Sequence, residues 1–126
     1  MSGVTYDTGM LLAAEASRRA AWALHRRALE RGLVPIVPAA VLAQAWRGGP
    51  QPMLSRLLAG CDVEPIDEPL ARQAGRACAR ASTSDVVDAM VVVGALARGD
   101  LVVTSDVRDL SRLASALGGR LALHGI

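Results

Sequence analysis

The stretch Leu101-Val102-Val103-Thr104-Ser105-Asp106-Val107-Arg108-Asp109-Leu110 decides the fold. Its first four residues form a short apolar, β-branched run with the composition of a buried strand; from Val107 to Leu117 the pattern is helical. An acid, Asp106, stands where one becomes the other. The same unit recurs outward in both directions. Val4-Thr5-Tyr6 ends at Asp7, and helical patterns follow over residues 8–14 and 17–31. Val34-Pro35-Ile36-Val37 precedes a helix over 38–47, with proline near the first helical position, and a shorter one over 52–59. Val63-Glu64-Pro65-Ile66 is a weaker strand whose proline points to a sheet edge. Helices over 68–81 and 84–98 follow it, and Leu121-Ala122-Leu123 reads as a last strand. Strands alternating with helices specify an α/β fold: a three-layer sandwich, with a five-stranded parallel sheet and helices on both faces, in one domain over residues 1–126.

Composition narrows the function classes. At 126 residues, 52% hydrophobic and 21% charged, the chain has the length of one domain and the make-up of a globular one. Its only rings of the Phe, Tyr and Trp kind are Tyr6, Trp22 and Trp46, which excludes a base-stacking platform for single strands. No apolar run reaches the ~18 residues of a membrane span. The start, Met1-Ser2-Gly3-Val4-Thr5-Tyr6-Asp7, lacks the basic and apolar segments of a secretory signal, so a cytoplasmic location is expected. Cys61 and Cys78 lack CxxC spacing and read as small buried hydrophobes. All fourteen basic residues are Arg, against twelve acids, for a net charge of +2. Without Lys the chain has no GK[ST] phosphate loop and no Schiff-base chemistry. It also lacks the Lys with which a receiver domain, otherwise similar in its strand-end acids, holds a phosphoryl group.

The informative residues are carboxylates. Asp7 follows the first strand and Asp106 the fourth, and ligands of open parallel sheets bind outside such strand ends, where strand order reverses. If those strands are neighbours, Asp7 and Asp106 face each other across the crevice. Asp85 and Asp88 open the helix over 84–98, three residues apart on one face of an otherwise apolar segment. Each acid alone also reads as a helix cap or a first-turn acid. Brought together they repel and require a cation, and hard divalent ions take oxygen ligands. The chemistry that follows is metal-assisted hydrolysis of a phosphodiester.

Four segments carry a resemblance: Tyr6-Asp7-Thr8-Gly9-Met10-Leu11-Leu12-Ala13, Val37 to Gly48, Asp85-Val86-Val87-Asp88-Ala89, and Val103-Thr104-Ser105-Asp106-Val107-Arg108-Asp109-Leu110. Together they resemble the PIN domain, and within it the VapC-type toxins of bacterial toxin–antitoxin pairs. The resemblance implies a small Mg²⁺- or Mn²⁺-dependent ribonuclease, a homodimer inhibited by a cognate antitoxin protein, with Asp7, Asp88 and Asp106 as the catalytic and metal-binding core. Asp85 and Asp109 are auxiliary ligands in that reading. The family usually carries Glu in the helix after the second strand, where this chain has Gln44. Glu15, about two helical turns beyond Asp7, is either a compensating acid or a solvent-facing residue beside Arg18 and Arg19. A catalytically weak or inactive PIN-like module that binds RNA or protein is the alternative function.

Arg18, Arg19, Arg26, Arg27 and Arg31 make the second helix basic, while Arg72, Arg76 and Arg80 form one stripe along another. With Arg47, Arg72 and Arg76 are candidates for an RNA-binding track, the alternative being solvated helix faces. Trp22 and Trp46 belong either to the core or to a protein interface. His25 and His124 have no partner at ligand spacing.

Overall fold

The computed structural model describes residues 3–126. Met1 and Ser2, the start of the segment read as lacking a leader, lie outside the described residues. Five short strands, β1 (Val4–Tyr6), β2 (Ile36–Pro38), β3 (Asp62–Glu64), β4 (Leu101–Thr104) and β5 (Ala122–Gly125), form one sheet in the order β3-β2-β1-β4-β5. Every pairing is parallel, with Thr5 opposite Ile36 on one side and Val102 on the other. Seven helices connect the strands: α1 (Thr8–Glu15), α2 (Arg19–Glu30), α3 (Ala39–Ala45), α4 (Pro52–Leu58), α5 (Glu68–Ala81), α6 (Val86–Arg98) and α7 (Val107–Ala116). The third strand is an edge, as its proline predicts, and it stops at Glu64 because Pro65 has no N–H to continue the ladder. Val34 and Pro35 likewise precede β2 rather than belong to it, and Pro38 ends that strand in the N-cap position of α3.

Alternation along the strands builds the layers. Val4, Tyr6, Leu101 and Val103 face the side covered by Leu24 and Ala28 of α2. Thr5 faces the opposite side, where the end of α6 reaches it. Helix α6 is apolar nearly all round, and Ala89, Val91, Val92 and Ala95 are fully buried. With no Phe available, the core is filled by Leu and Val and by alanines such as Ala74 and Ala77, whose small side chains let α5 lie close to α6.

Two polar clusters lie in this core away from Asp7 and Thr104, and in the second of them the buried Glu64 Oε1 is left without a hydrogen-bond partner. Tyr6 and His25 share a hydrogen bond of 2.8 Å between Oη and Nδ1, and His25 meets Trp22 edge-on. Burial holds the His25 imidazole below its ordinary pKa, so it is neutral. At the lower end of the sheet Arg98 donates to Asp100 Oδ2 (2.9 Å), to Thr5 Oγ1 (3.0 Å) and to Glu64 Oε2. Thr5 Oγ1 in turn donates to Asp100 Oδ2 at 2.9 Å, so one guanidinium ties α6 to β1, β3 and the start of β4.

Candidate metal centre

The sheet order reverses between β1 and β4, which makes that boundary the switch point. The Asp7 N–H donates to the Val103 carbonyl at 3.0 Å, extending the ladder one residue and fixing Asp7 at the strand mouth. Its buried carboxylate accepts from the Thr8 N–H (2.8 Å) through Oδ1 and from Thr104 Oγ1 (2.7 Å) through Oδ2. Asp7 is thus both a cap of α1 and a member of the acidic end of the sheet. Thr104 Oγ1 also accepts from the Asp106 N–H at 2.9 Å, linking the two strand-end acids through one hydroxyl. Gly9 makes this junction possible: a Cβ there would lie 2.6 Å from Ser105 Cβ and 2.9 Å from the Ser105 backbone nitrogen. Asp106 occupies the N-cap position of α7, but its side chain makes no cap hydrogen bond.

Helix α6 delivers Asp88 to the same place. Asp85 is its N-cap and accepts from the Asp88 N–H at 3.0 Å, so the capping reading holds for Asp85. Carboxylate oxygens of Asp88, Asp106 and Asp109, one from each, lie within 4.8 Å of one another. Burial pushes the Asp88 carboxyl up to about 7; the charges of Asp85, Asp7 and Asp106, and a side-chain hydrogen bond with Asp85, add to that. Asp106 is raised for the same leading reason, then by Asp109 and Asp7. Carboxyls pushed toward their neutral form by burial and then by each other are short of positive charge, and a set of oxygen donors this close suits a hard divalent cation.

The expected trio of Asp7, Asp88 and Asp106 shares one end of the sheet, and the tightest grouping pairs Asp88 and Asp106 with Asp109. Gln44 reaches the Asp7 side, where its Oε1 accepts from Thr8 Oγ1 at 2.6 Å. Glu15 is taken up elsewhere: its Oε2 accepts from the Leu54 N–H at 2.6 Å, in the first turn of α4. Its carboxylate therefore serves a helix end. Arg47 donates to the carbonyls of Ala43 (3.3 Å) and Trp46 (2.8 Å), closing its own helix end. Arg72 pairs with Glu68 at 2.7 Å on exposed α5, nine residues or about 14 Å from Ala81, the end of that helix beside the acids. Arg76 lines a separate hollow with Gln73, Arg80 and Leu117. Trp22 packs on the core and donates to the Ala14 carbonyl, whereas Trp46 is 40% exposed.

Sequence reasoning missed the parts played by Thr104 and Arg112, which hold or border the acids. For Thr104 the signal was available: a hydroxyl residue two positions before a strand-end acid can hold that acid's N–H. Gln44 yields a direct check. Glu at this position keeps an acceptor for Thr8 and adds a charge at the cluster's edge, so Gln44→Glu is expected to tighten Mn²⁺ binding ~5-fold, about 1 kcal/mol of attraction between a carboxylate and a divalent ion across ~8 Å of water. Calorimetric titration measures it, and unchanged affinity would separate Gln44 from the ion.

Residues 4–116 match the PIN domain family. No curated protein sequence matches the chain. A chain of the VapBC2 complex from Rickettsia felis, solved on a fragment of its promoter DNA, has a TM-score of 0.72 at 13% identity, over 98% of each chain. A chain of DNA-bound VapBC from Salmonella typhimurium gives 0.68 at 18% identity, over 99% of this chain and 98% of that one. A chain of FitAB bound to the IR36 DNA fragment gives 0.61 at 16%, over 97% and 94%. At such identities the likeness is one of fold. A family match over most of the chain, on a parallel sheet with its carboxylates at the switch point, makes this protein a member of the PIN domain family.

Proposed function

We propose that the chain is a ribonuclease dependent on Mg²⁺ or Mn²⁺ and the toxin of a toxin–antitoxin pair. The observation that carries this reading is the carboxylate group Asp88, Asp106 and Asp109, with Asp7 beside it and only the long, exposed Asp109–Arg112 pair to offset its charge. The donor set fits the ion: all oxygens, close together, open to solvent on the Asp109 side. Asp88, Asp106 and Asp109 would hold it, with Asp7 and Gln44 adjoining. A bound divalent ion supplies Lewis-acid polarisation of the phosphate and a water of lowered pKa. The chain's own part is to place these acids on rigid elements. Asp88, whose carboxyl is raised to about 7, would be held as the carboxylate by a bound cation.

Attack of water on the phosphorus with expulsion of the 3′ oxygen would leave a 5′-phosphate and a 3′-hydroxyl and make no use of the 2′-hydroxyl, so preference for RNA rests on binding. The antitoxin partner is supported by the fold shared with chains of VapBC and FitAB complexes. Exposed Leu12, Trp46 and Val86 supply apolar surface for a homodimer or for that partner. Among the described residues no helix is long and apolar enough to cross a membrane, and we assign the activity to the cytoplasm, where RNA is reached.

The test is incubation of partner-free protein with labelled RNA in Mg²⁺, in Mn²⁺ and in chelator. Cleavage that chelation stops is expected, as is growth arrest when the chain is expressed alone. A second reading, an inactive PIN-like binding module, is favoured by the uncharged Gln44 already engaged by Thr8. Metal binding without cleavage would select it.

A further inference from the structure

The acids border a small cleft between the α5–α6 connection and α7, lined by Ala81, Thr83, Asp85, Asp88, Asp109, Arg112 and Leu113. Its volume is about 50 Å³, the space of one or two waters. That is room for the oxygens of a phosphate. Arg112 is the one basic side chain in that lining. Its only ion pair among the described residues is with Asp109, at 3.5 Å, where the two side chains are 76% and 50% exposed. A pair that long and that wet is worth little and exchanges readily.

We propose that Arg112 is the residue that grips the substrate's phosphate at the acidic cleft. The assignment rests on the nuclease reading and names what receives the RNA backbone there. Asp7, Asp85, Asp88, Asp106 and Asp109 together repel a polyanion, so its approach needs a positive group at the rim in addition to any cation. Asp109 is shared between the cation group and Arg112, being three residues earlier on the same face of α7. When Asp109 turns to a cation, the guanidinium loses its partner while standing over the cleft. A planar fork of donors then meets a phosphate in bidentate fashion.

The experiment compares wild type, Arg112→Ala and Arg112→Lys. Binding of a randomised pool of short single-stranded RNA is measured in Ca²⁺ over a salt series, KM and kcat in Mn²⁺, and Mn²⁺ affinity by calorimetry. Arg112→Ala is expected to weaken RNA binding and raise KM by about 10- to 100-fold, the range for losing hydrogen bonds to a charged group. It should flatten the salt dependence by about 0.7, one phosphate contact on a single strand, and leave Mn²⁺ affinity equal or tighter because Asp109 is freed. Arg112→Lys should restore part of the binding. RNA binding within twofold of wild type, or a parallel loss of Mn²⁺ affinity, overturns the assignment and leaves Arg112 as a surface partner of Asp109. Wild-type protein that neither binds nor cuts RNA overturns the nuclease reading as well, so the two failures are distinct.

Discussion

Asp88→Asn is expected to abolish RNA cleavage and at the same time to stabilise the metal-free protein at pH 7. The Asp88 carboxyl is lifted to about 7, first by burial and then by Asp85, Asp7 and Asp106, from an ordinary 3.8. A carboxyl whose folded pKa exceeds its unfolded one contributes stability that is full below about pH 4 and is lost as pH rises through about 7. The metal-free wild type should therefore lose resistance to urea between about pH 4 and 7, and Asp88→Asn should flatten that slope. Added Mn²⁺ should restore the wild type and affect the variant far less. Loss of one ligand removes several kcal/mol of charge stabilisation, about 100-fold or more in rate. Urea melts across pH, with and without Mn²⁺, check the first half, and an RNA cleavage assay the second; a large loss of stability in Asp88→Asn would make the side chain structural. Asp7 differs, because both its oxygens accept hydrogen bonds from Thr8 and Thr104, so an amide there removes an acceptor along with a charge.

Gly9→Ala should cost about 3 kcal/mol and most of the activity. A methyl group at this position would sit 2.2 Å from Ser105 Oγ and inside contact distance of Ser105 Cβ and N. The hydroxyl can rotate away; the backbone of the β4–α7 turn cannot. Overpacking of this kind typically costs ~1–3 kcal/mol, here at the upper end because main chain must move. The turn that moves carries Asp106, so Mn²⁺ affinity should fall with stability. Denaturant unfolding and calorimetry measure the two, and an unaffected protein would mean that the turns are not in the contact described.

Much of this was legible in the sequence because the carboxylates lie where local patterns end. Asp7 and Asp106 each follow an apolar run that reads only as a strand, and the reversal of strand order then brings them together. Asp88 was legible because an acid at the start of an apolar helix is conspicuous. Asp109 and Arg112 were harder. They sit at i and i+3 on the wet side of amphipathic α7, where a ligand and a solvated ion pair look alike in one dimension. The role of Glu15 was hidden for another reason: its partner, the Leu54 N–H, is 39 residues away, and no local spacing announces a contact of that range. Gly9 reads as an ordinary early-helix glycine until the Ser105 turn is laid against it.

Arg98 and Asp88 lie at opposite ends of one helix, ten residues or about 15 Å apart. The guanidinium's bonds to Thr5, Glu64 and Asp100 act as a torsional clamp, since a rod gripped in three directions at its foot cannot spin about its long axis. The head of that rod carries a charge that its neighbours push away. Left free, α6 would relieve the repulsion by turning Asp88 out of the cluster. Pinned there and buried along its length, it keeps Asp88 among the other acids, where a cation would relieve the repulsion.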